Sequence, residues 1–430
     1  MKGYSGWSYE HFKVATDKNK TDTPYICRLI PGKSDVSVET EKEVDGILYY
    51  RKRQGGEWKN QQYKGISLIV KNLCENCEYQ MYIESSNGIK SNLRLFKTGE
   101  VIGKPIAYHH PSDEEYKFSG RFLGSPSLLK LPNGVLLASF DIFAARTPQN
   151  LTRIFRSDDG GETWKYVCEL MPCFWGKLFY HNGSIYMLAC STEYGDLLIG
   201  KSDDDGYTWK APTVILRGQH TMGNGCHKSA CEVIKKDGRL FTSLEFGSWA
   251  FGGFCNSVLS VSDTADLMNA SNWTISEFNK QKDMSGIEGN LVEAPNGDIL
   301  NILRYRENEA IVMKLSSNYE KLEFVKTIKF PIAHTKFQIS RHKDGMYYAL
   351  GNTAPMRNVL AIYKSEDLEN WSFVKNVVDC SNCDEQITGF QYPVFILDDD
   401  MLILSRTAYN GADTFHNSNY ITFHKTSIKE

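Results

Sequence analysis

The 430-residue chain is predicted to be all-β, with a small β-sandwich over residues 1–99, a linking or closing strand over 100–119, and an array of sheets over 120–430. Three observations carry that prediction. An octapeptide occurs twice, as Ser157-Asp-Asp-Gly-Gly-Glu-Thr-Trp164 and Ser202-Asp-Asp-Asp-Gly-Tyr-Thr-Trp209, and returns shortened as Ser365-Glu-Asp-Leu-Glu-Asn-Trp371. Six turn signals, Asn133-Gly134, Asn182-Gly183, Asp237-Gly238, Asn296-Gly297, Asp344-Gly345 and Asp398-Asp-Asp400, follow one another at intervals of 48–59 residues, each between two apolar strands. Ahead of them, residues 25–98 read as short alternating strands.

In that first part the strands fall at 25–30, 45–53, 65–70, 78–84 and 92–97, separated by Gln54-Gly-Gly-Glu57 and Ser86-Asn-Gly88. The succession Gly46-Ile-Leu-Tyr-Tyr-Arg51, Trp58, Tyr79-Gln-Met-Tyr-Ile-Glu84 and Ser91-Asn-Leu-Arg-Leu-Phe-Lys-Thr-Gly99 resembles a fibronectin type III domain, which implies Trp58 and Tyr79 as core aromatics. From Gly99 to Ser119 the chain is polar and carries Pro105 and Pro111, the character of a linker that can also close the array.

Each octapeptide follows a β-rich stretch, at 151–156, 196–201 and 359–364. Its Asp and Gly suit a tight turn in which a carboxylate accepts backbone N–H groups, with the Trp packed beneath. Asp159 and Asp204 are therefore read as turn staples, not catalysts. A turn repeated at blade spacing resembles the Asp-box of the sialidase-like β-propellers, and six turns joining first and second strands imply six blades. Counting alone leaves a seventh open, built from the linker and the C-terminal stretch.

Composition excludes several functions. No stretch approaches the ~20 apolar residues of a membrane span, and 49 basic against 52 acidic residues, a net charge of −3, leave no basic footprint for nucleic acid. The opening decapeptide, Met1 to Glu10, lacks the apolar core of a secretory leader, so either the chain is cytoplasmic or a leader has been removed, and a cytoplasmic location is expected. The 11 cysteines are expected to be free and mostly inert, because the two Cys-x-x-Cys pairs, Cys74/Cys77 and Cys380/Cys383, lie in different domains. No motif calls for a metal, an organic cofactor or an obligate protein partner.

If the first strand of each blade lines the axis, its entry and the end of the second strand meet at one funnel mouth. Entries such as Phe174-Trp-Gly-Lys177, Cys226-His-Lys-Ser229, Glu288-Gly-Asn290, Thr335-Lys-Phe-Gln338 and Phe390-Gln-Tyr392 then converge with Asp141, Glu193, Glu245, Arg304-Tyr-Arg306 and Ser405-Arg-Thr-Ala-Tyr409. A polar, charged pocket is expected there.

The run from Glu288 to Arg304 resembles the sialidase segment in which a Glu opens a blade and a carboxylate-binding Arg ends its second strand. The resemblance implies Tyr392 as nucleophile, Glu288 as its base, Asp141 as acid/base, and Arg304 and Arg406 as carboxylate clamps. Gly124-Ser-Pro126 stands where sialidases carry Arg-Ile-Pro, which implies a rearranged arginine set with Lys336 or Arg357 as substitute. Gly124-Ser-Pro-Ser-Leu128, Phe174-Trp-Gly-Lys-Leu-Phe179, Glu193-Tyr-Gly195, Ala270-Ser-Asn-Trp273 and Phe415-His-Asn-Ser-Asn-Tyr420 also resemble sialidase-like propellers of plant-glycan degradation, some of which release rhamnose from glucuronic acid.

The expected function is accordingly a carbohydrate-active enzyme, hydrolase or uronate lyase, acting on a terminal sugar at or next to a carboxylate of an oligosaccharide. His227 is its expected proton-transfer group, and Lys336, Trp175, Glu193, Glu245, Gln391, Tyr409 and His416 complete the substrate contacts. A glycan-binding propeller without chemistry, or a sialidase with a rearranged triad, are the rival readings.

Overall fold

The computed structural model describes residues 22–218, 223–279, 286–353 and 355–428, so the N-terminal decapeptide lies outside the described residues. Apart from two short 3-10 turns, Trp249–Phe251 and Ala270–Asn272, every regular element among the described residues is a β-strand. Among them no helix is long and apolar enough to cross a membrane.

The first five strands, Ile26–Pro31, Val36–Lys52, Lys59–Val70, Glu78–Ser85 and Arg94–Lys97, form one hydrogen-bonded sheet. The 17-residue second strand is its spine. Its first half pairs with Ile26–Pro31 and its second half with Glu78–Ser85, with the irregularity between Glu39 and Val44 allowing the sheet to bend. Residues of both halves, Leu29, Val38, Leu48, Met81, Ile83 and Phe96 among them, share one core. Tyr79 belongs to it and stacks on Phe96 at 5.2 Å. Trp58 does not: its ring is 36% exposed, edge-on to Tyr82, with the Arg51 guanidinium 4.5 Å from its centroid. Lying just before the strand Lys59–Val70, at the exposed hairpin end, it has no opposing layer to enter.

Six further sheets follow. Each shared core joins one sheet to the next: first to second through Leu137 and Leu178, second to third through Leu188 and Leu244, third to fourth through Phe241 and Leu303. The series continues through Ile302 and Ile339, then Leu350 and Ile403, and closes from sixth to first through Leu404 and Phe140. Six sheets in a closed ring are a six-bladed propeller. The segment Lys104–Tyr108 pairs with Tyr420–Ser427 as the outermost strand of the sixth blade, so chain segments from both ends of the array share one sheet and no seventh blade forms among the described residues.

The octapeptides join third to fourth strands, on the outside of the ring. Asp159 Oδ1 accepts from the Ser157 hydroxyl and the Thr163 N–H, both at 2.8 Å, and Trp164 Nε1 donates to the Gly161 carbonyl at 3.1 Å. Asp204, Ser202, Thr208 and Trp209 repeat the arrangement. Hydrogen bonds to Thr163 hold the Asp159 carboxyl down at about 2, as expected of a staple. The third blade carries an expanded version that no octapeptide match reveals, in which Trp273 Nε1 donates to the Leu267 carbonyl at 2.8 Å.

Buried charge fastens the N-terminal sheet to the first blade. Arg153, 2% exposed, donates to Glu169 at 3.1 Å and to the Cys27 carbonyl, and Tyr25 donates to the same Glu169. Arg94 bridges Asp113 at 2.8 Å and the Ile26 carbonyl at 2.6 Å. All 11 cysteines are free. Most are buried; Cys74 is exposed, and Lys52 beside it lowers its thiol pKa.

Candidate functional site

The first strands of the second, fourth and sixth blades share one local feature. In each, four residues span three on the neighbouring strand, so that two oppose one: Phe174 to Lys177 against Cys190 to Leu188, Ile287 to Asn290 against Arg304 to Ile302, and Gln391 to Val394 against Arg406 to Leu404. Each bulge places one residue in the left-handed region, Trp175, Glu288 and Tyr392, with φ of +52°, +54° and +50°. A bulge re-aims a side chain, and for large residues this conformation is strained enough to need support from its surroundings. The three side chains emerge in one funnel of about 1080 Å³. Arg146, Gln149 and Tyr194, also at positive φ, line it too.

Three buried groups pin these bulges, each reaching from the second strand of the preceding blade. Asp141 Oδ2 accepts from the Trp175 N–H at 3.0 Å, Glu245 Oε1 from the Gly289 N–H at 3.0 Å, and Asn352 Nδ2 donates to the Phe390 carbonyl at 2.6 Å. Lys336 adds a second pin to the last bulge by donating to the Pro393 carbonyl at 2.7 Å.

Within the funnel, Glu288 is 3% exposed and accepts from Arg304 Nη1 at 3.0 Å, while the Tyr392 hydroxyl lies against both groups. Burial alone would raise the Glu288 pKa, but Arg304 and, less strongly, His227 hold it below the ordinary carboxylate value, so Glu288 is ionised. Arg406 lies with its guanidinium carbon 4.7 Å from the Tyr392 ring centre and 4.1 Å from that of Phe143, donating to Ser418 Oγ at 2.9 Å and the His416 carbonyl at 2.5 Å. Burial pushes its pKa down to about 10. Arg357 stands 6.0 Å from the same Tyr392 ring and donates to Gln391 Oε1 at 2.6 Å. Among the described residues no carboxylate pairs with Arg357 or Arg406.

The opposite wall is aromatic. His227, 3% exposed, lies 4.1 Å from Trp175 and 4.7 Å from Phe254, and its Nδ1 is 3.1 Å from Glu245 Oε2. Tyr194 and Trp249 continue this wall, and Glu193 meets the funnel through a 2.6 Å hydrogen bond from Gln149.

Of the residues singled out from sequence, Glu288, Tyr392, His227, Arg304, Arg406, Trp175, Glu193 and His416 line the funnel together. Five do not. Asp141 is 1% exposed with both oxygens engaged, by Thr152 at 2.7 Å and by Trp175 N–H, so the acid/base role is corrected to that of a pin. Glu245 holds His227 and the Glu288 bulge, and Lys336, whose pKa burial lowers to about 8, holds the Tyr392 bulge; neither faces the ligand space. Gln391 precedes the bulge residue on the strand and points away from Tyr392, bridging Arg357 and the Phe415 carbonyl. Tyr409 packs near Phe390 in the core behind the site. Sequence reasoning missed Trp249, Gln149 and Arg146. For Trp249 a signal existed, an aromatic followed by Gly252-Gly253 between two strands. Among the described residues no group of three or more His, Cys, Asp or Glu is arranged to hold a metal.

A closed ring of four- and five-stranded sheets, with strained bulges that aim Trp175, Glu288 and Tyr392 into one axial funnel, defines a sialidase-like β-propeller. The chain belongs to the family described as BNR repeat-like domain, whose model matches residues 177–404. Solved structures of the same fold include the Penicillium chrysogenum α-L-arabinanase complexed with arabinobiose, at 14% identity and a TM-score of 0.50, with 77% of this chain and 99% of that chain covered. The GH93 α-L-arabinofuranosidase of Fusarium graminearum aligns at 12% identity and a TM-score of 0.51, over 76% and 98% of the two chains. A Trypanosoma rangeli sialidase in complex with 2,3-difluoro-KDN aligns at 13% identity and a TM-score of 0.54, over 76% of this chain and 57% of its own. A comparison with curated proteins gives no match.

Proposed function

We propose that this protein is a glycosidase that removes a terminal sugar carrying, or directly joined to, a carboxylate-bearing residue of an oligosaccharide. One observation carries the reading. Three guanidinium groups surround the Tyr392–Glu288 pair, and only Arg304 has a carboxylate partner among the described residues. Buried cations left unpaired are costly, and a planar guanidinium accepts a carboxylate in a two-point bond. A substrate carboxylate supplies the missing anion. The likeness in fold to glycosidases, and a funnel closer in size to a small-molecule pocket than to a long groove, support a chain-end substrate.

The chemistry follows from the positions of the groups. Ionised Glu288 takes the hydroxyl proton of Tyr392 as its oxygen bonds to the anomeric carbon, while the leaving oxygen receives a proton from His227, whose ring Glu245 orients. Water, deprotonated by His227, then breaks the glycosyl–tyrosine bond, and Glu288 returns the proton to Tyr392. The guanidinium groups hold the carboxylate throughout.

The test is incubation with glucuronate-capped and sialylated oligosaccharides, reading free terminal sugar and absorbance of unsaturated uronate. Released saturated sugar, lost in Tyr392→Phe, supports hydrolysis. Unsaturated product instead assigns elimination with His227 as the base, and binding without any product assigns a lectin; either outcome overturns the proposal.

A further inference from the structure

The funnel has two chemically different halves. Arg304, Arg406 and the Tyr392–Glu288 pair belong to the fourth and sixth blades, whereas Trp175, Tyr194, His227 and Trp249 belong to the second and third. Trp249 is the most exposed large hydrophobic side chain described, at 64%, although it lines a cavity. It is carried there by construction. The two strands that lead to it, Arg239–Ser248 and Gly253–Ser262, have ten residues each, longer than any other second or third strand of the propeller. Their pairing runs unbroken to Ser248 and Gly253. Gly247, at φ +149°, permits the approach: a Cβ there would stand 2.2 Å from the Gly253 carbonyl oxygen. The Trp249 ring meets Phe254 at a right angle, 5.0 Å between centroids at 87°, and no other aromatic ring contact to the indole is found among the described residues.

An indole raised on an extended hairpin, braced from one side and exposed at the rim of a polar funnel, suits the apolar face of a pyranose ring. The catalytic half is charged, so a substrate that spans both halves has its anionic terminal residue at Tyr392 and a neutral sugar at the rim. We propose that Trp249, with Trp175 behind it, forms the subsite for the leaving sugar, making the protein selective for oligosaccharides over glycosides that lack a second ring. This rests on the glycosidase reading above.

The experiment compares wild type with Trp249→Ala and Trp249→Phe on two probes, a glucuronate-capped trisaccharide of neutral hexoses and the glucuronyl fluoride of the same anomer. Binding of the trisaccharide is measured in parallel by calorimetry. Trp249→Ala is expected to lower kcat/KM on the trisaccharide by about tenfold and to change that on the fluoride less than about twofold, with Trp249→Phe restoring most of the loss. Equal effects on both probes, or none on the trisaccharide, overturn the subsite while leaving the glycosidase reading standing. If wild type turns over neither probe, the glycosidase reading fails, and the subsite is still decided by whether Trp249→Ala weakens trisaccharide binding by a similar factor. Unchanged melting temperature confirms that the exposed side chain was removed without harm to the fold.

Discussion

Asp141→Asn should make the protein more stable at neutral pH while leaving turnover intact. The Thr152 hydroxyl lies 2.7 Å from Asp141 Oδ1 and 2.9 Å from the Cys173 carbonyl. The hydroxyl owns one proton and cannot donate to both at once; a protonated Asp141 that donates to Thr152, while Thr152 donates to the Cys173 carbonyl, satisfies all three groups. Meanwhile Asp141 Oδ2 accepts the Trp175 N–H. A neutral carboxyl fits both demands, and burial accordingly raises the Asp141 pKa from 3.8 to about 7. The folded protein thus holds this proton more tightly than the unfolded chain. Its stabilising contribution is complete below the unfolded pKa and is lost as pH rises through 7, a total of about 4 kcal/mol at 1.36 kcal/mol per pH unit. Asn reproduces the neutral acid, with Nδ2 donating to Thr152 and Oδ1 accepting from Trp175, and does not titrate. Urea denaturation of both proteins between pH 4.5 and 8.5 should show a gap that widens with pH in favour of Asp141→Asn. A gap independent of pH, or a less stable variant at pH 8, refutes the assignment of a neutral pin. Loss of turnover would return Asp141 to the catalytic groups.

Arg406→Ala should reduce kcat/KM on carboxylate-bearing substrates by about a hundredfold, the scale for removing one partner of a buried charge-assisted contact, with little effect on an ester of the same sugar; steady-state kinetics on both read it. Trp164→Ala should cost about 3–5 kcal/mol by emptying a site 3% exposed beneath the turn, seen as a drop in melting temperature without a change in KM. Arg153→Ala should destabilise by about 3–5 kcal/mol, because Glu169 and the Cys27 carbonyl lose their buried donor; limited proteolysis should then cut first near the junction of the N-terminal sheet and the first blade.

The parts legible in sequence were those encoded locally. An Asn-Gly or Asp-Gly pair declares a hairpin because only certain residues tolerate its positive φ, and the octapeptide declares its turn because Ser, Asp and Thr supply every bond within eight residues. Glu288, Arg304 and Arg406 could be placed at one mouth because strand ends converge by topology. Depth could not be read in this way. Gln391 and Tyr392 are neighbours, yet one faces the core and the other the ligand, and the alternation that decides it is broken by the bulge itself. Trp58 misled for a related reason: an aromatic in a small β-module is expected inside, but where the sheet bends on itself the hairpin end is left outside the core.

The residues misassigned from sequence show how the ring divides its labour. Asp141 and Glu245, together with Asn352, to which no site role was given, occupy the second strands of the first, third and fifth blades, and each pins a bulge in the blade that follows. The bulged blades, second, fourth and sixth, present Trp175, Glu288 and Tyr392, and the residue before each bulge pairs with Cys190, Arg304 and Arg406 respectively. Odd blades therefore supply the pins and even blades the bulges, a threefold alternation laid over six repeats. A strained left-handed Glu or Tyr persists only where its surroundings over-determine it, which is why the supporting positions carry buried polar groups that sequence inspection takes for catalysts. Within that alternation the second blade stands apart, with Cys190 where the other two carry arginine and Trp175 where they carry Glu and Tyr. The charge that would complete a threefold cationic ring is absent from that sector, and an aromatic wall stands in its place. In the proposed reaction this asymmetry sets the orientation of the substrate, with its carboxylate toward the fourth and sixth blades and its apolar face toward the second.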